Sequence, residues 1–533
     1  MSGVGCGQFW AGPEPSAAPA ALAALAALAA DYTVAMERPV ASRRIWLDSA
    51  DLRLHRSGMA LTAVERADGG GGMLELSRAD GATVTAGIDA LGWPLLLAGL
   101  PDDLRPHLEP VLGVRALLPM VEAAGTSVTG RLLDAEGKTV LRLTHERPAT
   151  IAGSRDQLPG GLWLIPVRGY VAASECAARI AQRAGLVPGA PSRYPAALRA
   201  AGVDPDGSSR AVVETGLPAR VAVARVLLSF LGELEAAVDG TVDDVDIEFL
   251  HDLRVAVRRS RSAVKLLGDV LPPALVAWAT PQLKLLGDLT TPSRDLDVLL
   301  QELPTLTAGL TSARRADVEP LVLHLTELRA DERRRLVVGL RSPRFERFRA
   351  RWRASLLALA TWDGQPGAGS TAAEVVVERL DRAHRRVLRR GSRITDASPS
   401  EDLHDLRKRA KELRYLLETF PPTTDPADAR VAIKELKALQ DVLGTFQDSE
   451  AQREALHSVA TDMMSRDGAS ARTIFAMGEI AARLQEDQDT SRAQFAAMFE
   501  RFSRRSARPG TAHPGRRRTA PAEPATALAG AAR

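Results

Sequence analysis

Cysteine is almost absent from this sequence. Its two cysteines, Cys6 and Cys176, lie far apart and form no CxxC pair. This spacing excludes a disulfide framework and a thiolate metal site, and it fits a reducing cytoplasm. The histidines show no metal-ligand spacing either. We therefore expect neither a metal ion nor another cofactor.

Several sequence signatures of catalysis and targeting are also missing. The chain has no GxxxxGK[ST] phosphate loop, no GxGxxG before a helix, no HExxH and no GxSxG. Catalytic residues are therefore not expected. The one long apolar run, Ala17 to Ala30, is too short to span a membrane, and no Lys or Arg precedes it. We interpret residues 1–31 as a disordered, Ala-rich lead and expect no membrane association.

The pattern of apolar residues changes once along the chain. From Tyr32 to about Thr150, short β-type segments alternate with turn signals, and Arg131 to Leu143 is the clearest hairpin. From Leu217 onward, long amphipathic helices follow one another. The sequence therefore predicts an α+β protein with an antiparallel β-barrel or tunnel-like domain followed by an all-α domain. The expected boundaries are residues 32–203 for the first domain, 204–216 for a linker, 217–503 for the helical domain and 504–533 for a disordered basic tail.

The helical region contains an internal repeat. A break at Trp362 to Ser370 divides it, and the motif HDLR occurs at residues 251–254 and again at 404–407, an offset of 153. At the same offset Lys284 matches Lys437, and two aspartates match as well, Asp288 with Asp441 and Asp295 with Asp448. We expect the repeats to span residues 217–361 and 371–503.

Each copy of the motif begins a helix with one cationic face. The positively charged positions recur every three or four residues, which at about 100° per residue confines them to one side of the helix. In the first copy they are His251, Arg254, Arg258, Arg261 and Lys265. In the second copy they are His404, Arg407, Lys411 and Arg414, with Lys408 alongside.

Stacked like charges destabilise an isolated helix by a few tenths of a kcal/mol per pair, so something must compensate. A solvated face or an internal salt-bridge lattice would do so in a purely structural scaffold. Because the pattern occurs twice at one register and carboxylates nearby are few, a bound polyanion is the better partner. Basic helices also suit a nucleic-acid backbone, but aromatic residues make up only 4% of the chain, so few side chains could stack on bases.

Three lysines beyond the stripes are further candidates. Lys284 and Lys437 each precede an aspartate by four residues, so each could form a simple helix ion pair or contact phosphate. Lys434 lies one turn before Lys437 and adds to the second copy. Similarly, His251 and His404 could be phosphate donors or packing residues at helix starts. We interpret Asp295 and Asp448 as residues that orient the lysines or histidines.

At these residues the chain resembles the CHAD family. The resemblance rests on the HDLR-type start, the basic helix and a lysine-bearing helix with an LG...D pattern, all present twice over residues 217–503. It implies two four-helix bundles that are related by pseudo-twofold symmetry and bind inorganic polyphosphate in a central basic groove. The expected function is polyphosphate binding in the cytoplasm, at polyphosphate granules or in polyphosphate metabolism. Arg294 stands where the second copy has Gln447, so the halves need not bind equally.

The first domain resembles the CYTH family, the triphosphate tunnel fold. Residues 45–54, followed by residues 57–59, are similar to one of its strands and the adjoining loop. The family's Glu-x-Glu-x-Lys strand is reduced here to Glu37, and Glu75 stands where a tunnel lysine is expected. Neutral residues replace the tunnel arginines at Thr62, Val64, Ala124, Thr126 and Ser127. The resemblance thus implies a tunnel domain that has lost its active site, and the alternative is a metal-dependent triphosphatase that uses Glu37 and the few other acids.

Overall fold

The protein folds into two compact units in the computed structural model. The first contains residues 1–208 together with 243–249, and the second contains the remainder. The structure describes residues 8–11, 17–26, 32–66, 72–88, 92–189, 192–206, 216–361, 370–420, 426–466 and 468–505. Most of the predicted linker (207–215), the predicted break (362–369) and nearly all of the predicted tail (506–533) lie outside them. The α+β class is confirmed, with an antiparallel sheet domain followed by a helical one.

An antiparallel sheet curled into a half-barrel forms the first unit. Its strands are β1 (Gln8–Ala11), β2 (Thr33–Met36), β3 (Val40–Asp48), β4 (Met59–Arg66), β5 (Gly72–Arg78), β6 (Thr83–Ile88), β7 (Leu118–Leu133), β8 (Thr139–Glu146), β9 (Ala149–Ile151), β10 (Gln157–Leu158), β11 (Gly161–Pro166) and β12 (Val187–Pro188). The main path of the sheet is β12-β1-β11-β8-β7-β3-β4-β5-β6, and β2 and β9 also pair with β7.

The hairpin of β7 and β8 shows how local sequence builds this sheet. The Asp134 carboxylate accepts hydrogen bonds from the backbone N–H groups of Glu136 and Lys138. Gly137 takes a φ of 75°, which glycine adopts without a steric penalty. The sequence predicts this hairpin, and its turn fixes the register that pairs Arg131 with Arg142.

Two segments of the predicted disordered lead belong to the first unit's core. Strand β1 pairs with β11, and helix α1 (Ala17–Ala26) buries Ala18 and Ala21. These residues pack with Trp10 and Leu162. Small alanine side chains allow close approach to the sheet, so the described parts of this stretch differ from the expected disordered lead.

Helices alone make up the described parts of the second unit. They are α6 (Ala219–Val242), α7 (Ile247–Leu267), α8 (Pro273–Thr307), α9 (Ser312–Ala316), α10 (Glu319–Leu340), α11 (Pro343–Ala360), α12 (Ala372–Gly391), α13 (Ser400–Thr419), α14 (Pro426–Ser465) and α15 (Ala471–Arg505). The first turn of α7 is grouped with the first unit. Besides α1, the first unit contains the helices α2 (Arg53–Arg56), α3 (Arg105–Leu112), α4 (Val171–Arg183) and α5 (Tyr194–Ala200).

The offset of 153 residues found in the sequence also relates the helices. Ala219 and Ala372 begin α6 and α12, Ile247 and Ser400 begin α7 and α13, and α8 and α14 both begin at a proline with the same separation. Helix α15 begins at residue 471, one residue short of that offset from the start of α10. Equivalent sequence positions therefore have equivalent places in the two repeats.

A reciprocal pair of backbone hydrogen bonds joins the starts of the repeats. The N–H of Ala219 donates to the carbonyl of Ser370 (3.1 Å), and the N–H of Ala372 donates to the carbonyl of Leu217 (2.8 Å). Pro218 and Thr371 form an isolated antiparallel bridge between them. Exchanging each residue for its equivalent 153 positions away turns one hydrogen bond into the other. The two repeats are thus related by a local twofold axis at this point.

Candidate anion-binding site

Helices α7 and α13 carry the two cationic stripes and lie beside each other. Lys265 Nζ on α7 is 2.6 Å from Glu412 Oε1 on α13. The apolar sides of both helices are buried as expected, which fixes the rotation of each helix about its axis. The buried residues are Leu253, Val257, Val264 and Leu267 on α7, and Leu406, Leu413 and Leu416 on α13.

Arg258 and Lys411 are the middle residues of the two stripes. They are equivalent positions of the repeat, and the positive charge of Arg258 acts on Lys411. Arg407 and Arg414 of α13 act on Arg258 as well. Within the described ranges, neither Arg258 nor Lys411 has a carboxylate within the 4.0 Å limit of an ion pair.

The pKa values of Lys411 and Arg258 reflect the repulsion between neighbouring positive charges. Burial lowers the pKa of Lys411 to about 8, with help from the positive charges of Arg407, Arg258 and Arg414, while Asp448 opposes the shift. The pKa of Arg258 is also lowered, first by the loss of surrounding water and then by neighbouring arginines. Arg258 nevertheless keeps much of its surface open to solvent. A side chain that is accessible and yet largely surrounded by protein lies in a groove, and we call the surface between α7 and α13 the cationic groove.

The first arginine of each stripe is anchored differently in the two repeats. Arg254 Nη1 donates to the hydroxyls of Thr290 (3.3 Å) and Thr291 (2.8 Å) on α8. Arg407 instead donates to Gln447 Oε1 (2.7 Å) and Asp448 Oδ1 (3.0 Å) on α14. Asp448 therefore orients an arginine, where the sequence had suggested a lysine or histidine.

Positions farther along the stripes are partly neutralised. Lys265 is paired with Glu412 across the repeats, and Arg414 Nε lies 3.4 Å from Glu418 Oε1 on its own helix. Arg261 lies against α8, where its Nη1 atom would be 2.8 Å from a Cβ placed on Gly287. Glycine at residue 287 therefore leaves the room that this guanidinium occupies. Sequence reasoning did not identify Glu412 as the partner of Lys265, or Thr291 as a partner of Arg254, because in each case the two residues belong to different helices.

The remaining predicted residues lie around these positions. Lys284 forms the simple helix ion pair with Asp288, at 3.3 Å. Lys437 is exposed and, in the part of the chain that the structure describes, makes no ion pair with Asp441 or any other carboxylate, as is also true of Lys434. Lys408 is exposed, with its Nζ 4.0 Å from Asp405 Oδ1. Both predicted histidines, His251 and His404, are half-buried one turn before the anchored arginines.

The interior of the half-barrel is organised around a buried carboxylate. Glu146 on β8 contacts Arg193 and lies 2.6 Å from Arg44 Nη2. It also accepts a hydrogen bond from the Trp163 indole. Burial raises the pKa of Glu75, Arg44 lowers it, and the charge of Glu146 raises it further. Each buried guanidinium thus has an internal counter-charge.

This interior contains cations at positions other than those where the sequence places neutral or acidic residues. Thr126 and Ser127 do line the cavity, but Arg44, Arg147 and Arg193 line it too. Strand alternation could have revealed Arg44, because Ser42, Arg44 and Trp46 share one face of β3. No local sequence pattern identifies Arg193, because this residue comes after the last strand in the sequence.

Glu37 lies outside this interior cluster. It is exposed and accepts a hydrogen bond from the Thr129 hydroxyl at 2.6 Å. Across the described residues, no group of three or more His, Cys, Asp or Glu side chains could hold a metal ion. The same residues include no helix that is long and apolar enough to cross a membrane.

Comparison with known families identifies the helical unit. The CHAD domain model matches residues 225–457, a range that includes both stripes. This region is a CHAD domain. Two curated relatives from Mycobacterium tuberculosis are uncharacterized: Rv2226 of strain ATCC 25618 / H37Rv is 30% identical over 215 residues, and MT2285 of strain CDC 1551 / Oshkosh is 29% identical over 215 residues. Each match covers 39% of this chain and 39% of the relative.

Three solved structures show partial likeness to this chain. The CHAD domain from the plant Ricinus communis has a TM-score of 0.47 at 25% identity, covering 55% of this chain and 94% of that one. PptA from Streptomyces chartreusis has a TM-score of 0.42 at 18% identity, covering 53% and 99%. Putative adenylyl cyclase HpAC1 from Hippeastrum, described as having a dominant triphosphatase activity, has a TM-score of 0.26 at 12% identity, covering 37% and 95%. None of these TM-scores reaches 0.5, so the CHAD assignment rests on the family model.

Proposed function

We propose that the CHAD domain binds inorganic polyphosphate in the cationic groove. The observation that carries this proposal is that Arg258 and Lys411, equivalent residues of the two repeats, repel each other and have no carboxylate at ion-pair distance among the described residues. Bringing like charges together raises their free energy, and a polyanion between them lowers it again. Guanidinium groups also match phosphate oxygens with paired hydrogen bonds, and ammonium groups add point charge.

The family assignment supports phosphate as the repeating unit of this ligand. CHAD domains are associated with polyphosphate. The groove offers cations from two helices, so a chain of phosphates can contact both repeats at once. The residues proposed to contact it are His251, Arg254, Arg258, Arg261, Lys265, Lys284, His404, Arg407, Lys408, Lys411, Arg414, Lys434 and Lys437. Within this set, Arg258 and Lys411 should contribute most, because both are largely surrounded by protein, are repelled by neighbouring cations and have no carboxylate at ion-pair distance among the described residues.

We propose a separate, non-catalytic role for the half-barrel as a CYTH-like domain. Its buried guanidiniums already share Glu146, so a triphosphate entering there would have to displace an internal ion pair. The triphosphatase alternative is tested by phosphate release from triphosphate with Mg²⁺ or Mn²⁺. Turnover above the metal-free blank that is lost in Glu37→Gln would support the enzyme and contradict our proposal.

We also propose that binding takes place in the cytoplasm, at polyphosphate granules. The scarcity of cysteine supports a reducing compartment. Co-localisation of the tagged full chain with polyphosphate stain in cells tests this placement, and a secreted or granule-excluded protein would contradict it.

The direct test measures binding of the full chain to long-chain polyphosphate at several salt concentrations. The variant carries Arg254→Gln, Arg258→Gln, Arg407→Gln and Lys411→Gln. We expect it to lose at least a hundredfold in affinity. The slope of log affinity against log salt should also become shallower by about 3, since each phosphate contact on a single chain contributes about 0.7.

A matched control removes four charges elsewhere, at arginines that pair with carboxylates on their own helices: Arg334, Arg335, Arg382 and Arg504. We expect that control to bind nearly as the wild type does. Equal losses in the two variants would mean that net charge alone matters and would contradict a groove site. Binding of single-stranded DNA of equal charge as tight as that of polyphosphate would favour a nucleic-acid binder.

A further inference from the structure

A second unneutralised basic surface lies on α11, outside the cationic groove. Arg344, Arg347 and Arg351 are exposed, and their spacing of three and four residues places them within about 60° on one side of the helix. We call these three residues the α11 face. Within the described residues, none of the three forms an ion pair with a carboxylate.

Other arginines on α11 behave differently. Arg349 is bonded to Glu346 at 2.6 Å, and Arg353 contacts Glu235 on α6. The helix thus neutralises the arginines on its other sides and leaves those of the α11 face charged. A solvated stripe with no function would not require this division.

The α11 face is held in place without being neutralised. Arg344 Nη2 donates to the neutral amide of Gln282 on α8, at 3.3 Å. The guanidinium of Arg351 lies 4.3 Å from the ring centre of Trp278, which itself stacks on Phe348. An amide and an aromatic ring orient a guanidinium but leave its positive charge available. The face is therefore preorganised for anions.

Helix α8 separates the α11 face from the cationic groove. Gln282 contacts the α11 face, and Gly287 lies against Arg261 of the groove. Five residues along a helix correspond to a rotation of about 140° and a rise of about 7.5 Å. The two basic surfaces thus contact different sides of α8, so a short anion in the groove does not cover both.

Resting on the proposed function, we propose that the α11 face is a second contact surface for polyphosphate, reached only by chains long enough to extend out of the groove and past α8. Tethering in the groove raises the effective concentration of the rest of the chain at α11. The face would then make the domain selective for long chains. Because Trp278 is already covered by Arg351, its ring offers no free platform for a nucleic-acid base.

The test compares a short oligophosphate with long-chain polyphosphate, using the full chain and a variant with Arg344→Gln, Arg347→Gln and Arg351→Gln. We expect the variant to lose about tenfold in affinity for the long chain, and its salt slope to become shallower by about 2. Affinity for the short chain should stay unchanged. The matched control carries Arg334→Gln, Arg335→Gln and Arg349→Gln, which remove three arginines that pair within their own helices, and it should bind both chains as the wild type does.

Each other outcome overturns the inference in a recognisable way. Unchanged long-chain binding by the α11 variant means that the face is merely solvated, although the groove proposal survives. Equal losses of affinity for both chain lengths mean that the α11 face does not distinguish long chains from short ones. A wild type that binds neither chain overturns the groove proposal and this inference together. Long single-stranded DNA of equal charge that binds as tightly and shows the same loss would assign the face to nucleic acid.

Discussion

The half-barrel and the CHAD domain treat buried positive charge in opposite ways. In the half-barrel, Glu146 lies between Arg44 and Arg193, so the guanidiniums find their counter-charge within the chain. In the cationic groove, Arg258 and Lys411 face further cations. The first arrangement stabilises the fold by itself, whereas the second raises the free energy of the empty protein. Of these two charge clusters, the one in the groove therefore has an electrostatic need for an external anion.

The two repeats of the CHAD domain give the same contrast on a smaller scale. Arg254 is anchored by neutral threonine hydroxyls, and its equivalent Arg407 is anchored by the Asp448 carboxylate. Arg294 in the first repeat replaces Gln447 in the second, which adds a cation where the second repeat has an amide. The two repeats thus hold equivalent arginines with chemically different groups.

Removing the internal counter-charge of the half-barrel should have the largest effect on stability. Glu146→Gln leaves two guanidiniums beside a neutral amide, and we expect the free energy of unfolding of the first unit to fall by about 3 kcal/mol. Urea unfolding followed by tryptophan fluorescence measures this, because Trp163 bonds directly to Glu146. Glu136→Gln breaks a solvent-exposed ion pair with Lys138 and should leave the free energy of unfolding nearly unchanged. Equal effects of the two substitutions would contradict the buried counter-charge.

Removing a charge from the cationic groove should instead raise the free energy of unfolding. Lys411→Met removes one of the mutually repelling charges, so we expect the CHAD domain to gain about 1 to 2 kcal/mol in free energy of unfolding at pH 7. The same variant should lose about tenfold in polyphosphate affinity. Denaturant unfolding followed by circular dichroism, beside a binding titration, tests both expectations. Lys408→Met is the control, since Lys408 is exposed beside Asp405. A destabilised Lys411→Met would mean that its aliphatic stem outweighs its charge.

The sequence predicted the stripes well because they are periodic within one helix. The helix period of 3.6 residues places Arg254, Arg258 and Arg261 on one face wherever the helix packs, and the repeat offset then identifies Arg407 and Lys411. It could not predict that Arg258 lies near enough to repel Lys411, because their separation depends on how two distant helices pack. The Glu146 cluster was missed for the same reason, since its partner Arg193 lies 47 residues away. Local patterns specify faces, while tertiary packing decides which charges are compensated.

Polyphosphate binding should weaken with rising pH, through Lys411. Its pKa of about 8 in the empty groove means that the amine loses its proton above that pH, and a bound polyanion must then recruit the proton again. We expect affinity to fall up to about tenfold between pH 7 and 9. Titrations in buffers of equal ionic strength measure the change. Lys411→Arg keeps the charge throughout this range and should be pH-independent; an unchanged slope in that variant would assign the effect to another group.

Linkage predicts a matching effect on stability. The folded-state pKa of Lys411 is lowered from 10.5, so the unfolded chain binds more protons between about pH 8 and 10.5. This group therefore makes the free energy of unfolding rise with pH across that window. Comparing wild type with Lys411→Met at each pH isolates this contribution, and a difference that stays constant across the window would contradict the lowered pKa.

The smallest expected effect is a difference in polyphosphate affinity when the equivalent aspartate is removed from one repeat or the other. Asp448→Asn removes the carboxylate that occupies Arg407, so the guanidinium no longer has to exchange an internal partner for phosphate. We expect polyphosphate affinity to rise about threefold, which is modest because the displaced ion pair is open to water. Asp295→Asn, at the equivalent position, should raise affinity less, since Arg254 is already anchored by threonines. Equal gains would show that the repeats respond only to net charge, whereas a loss with Asp448→Asn would mean that Asp448 positions Arg407 for binding.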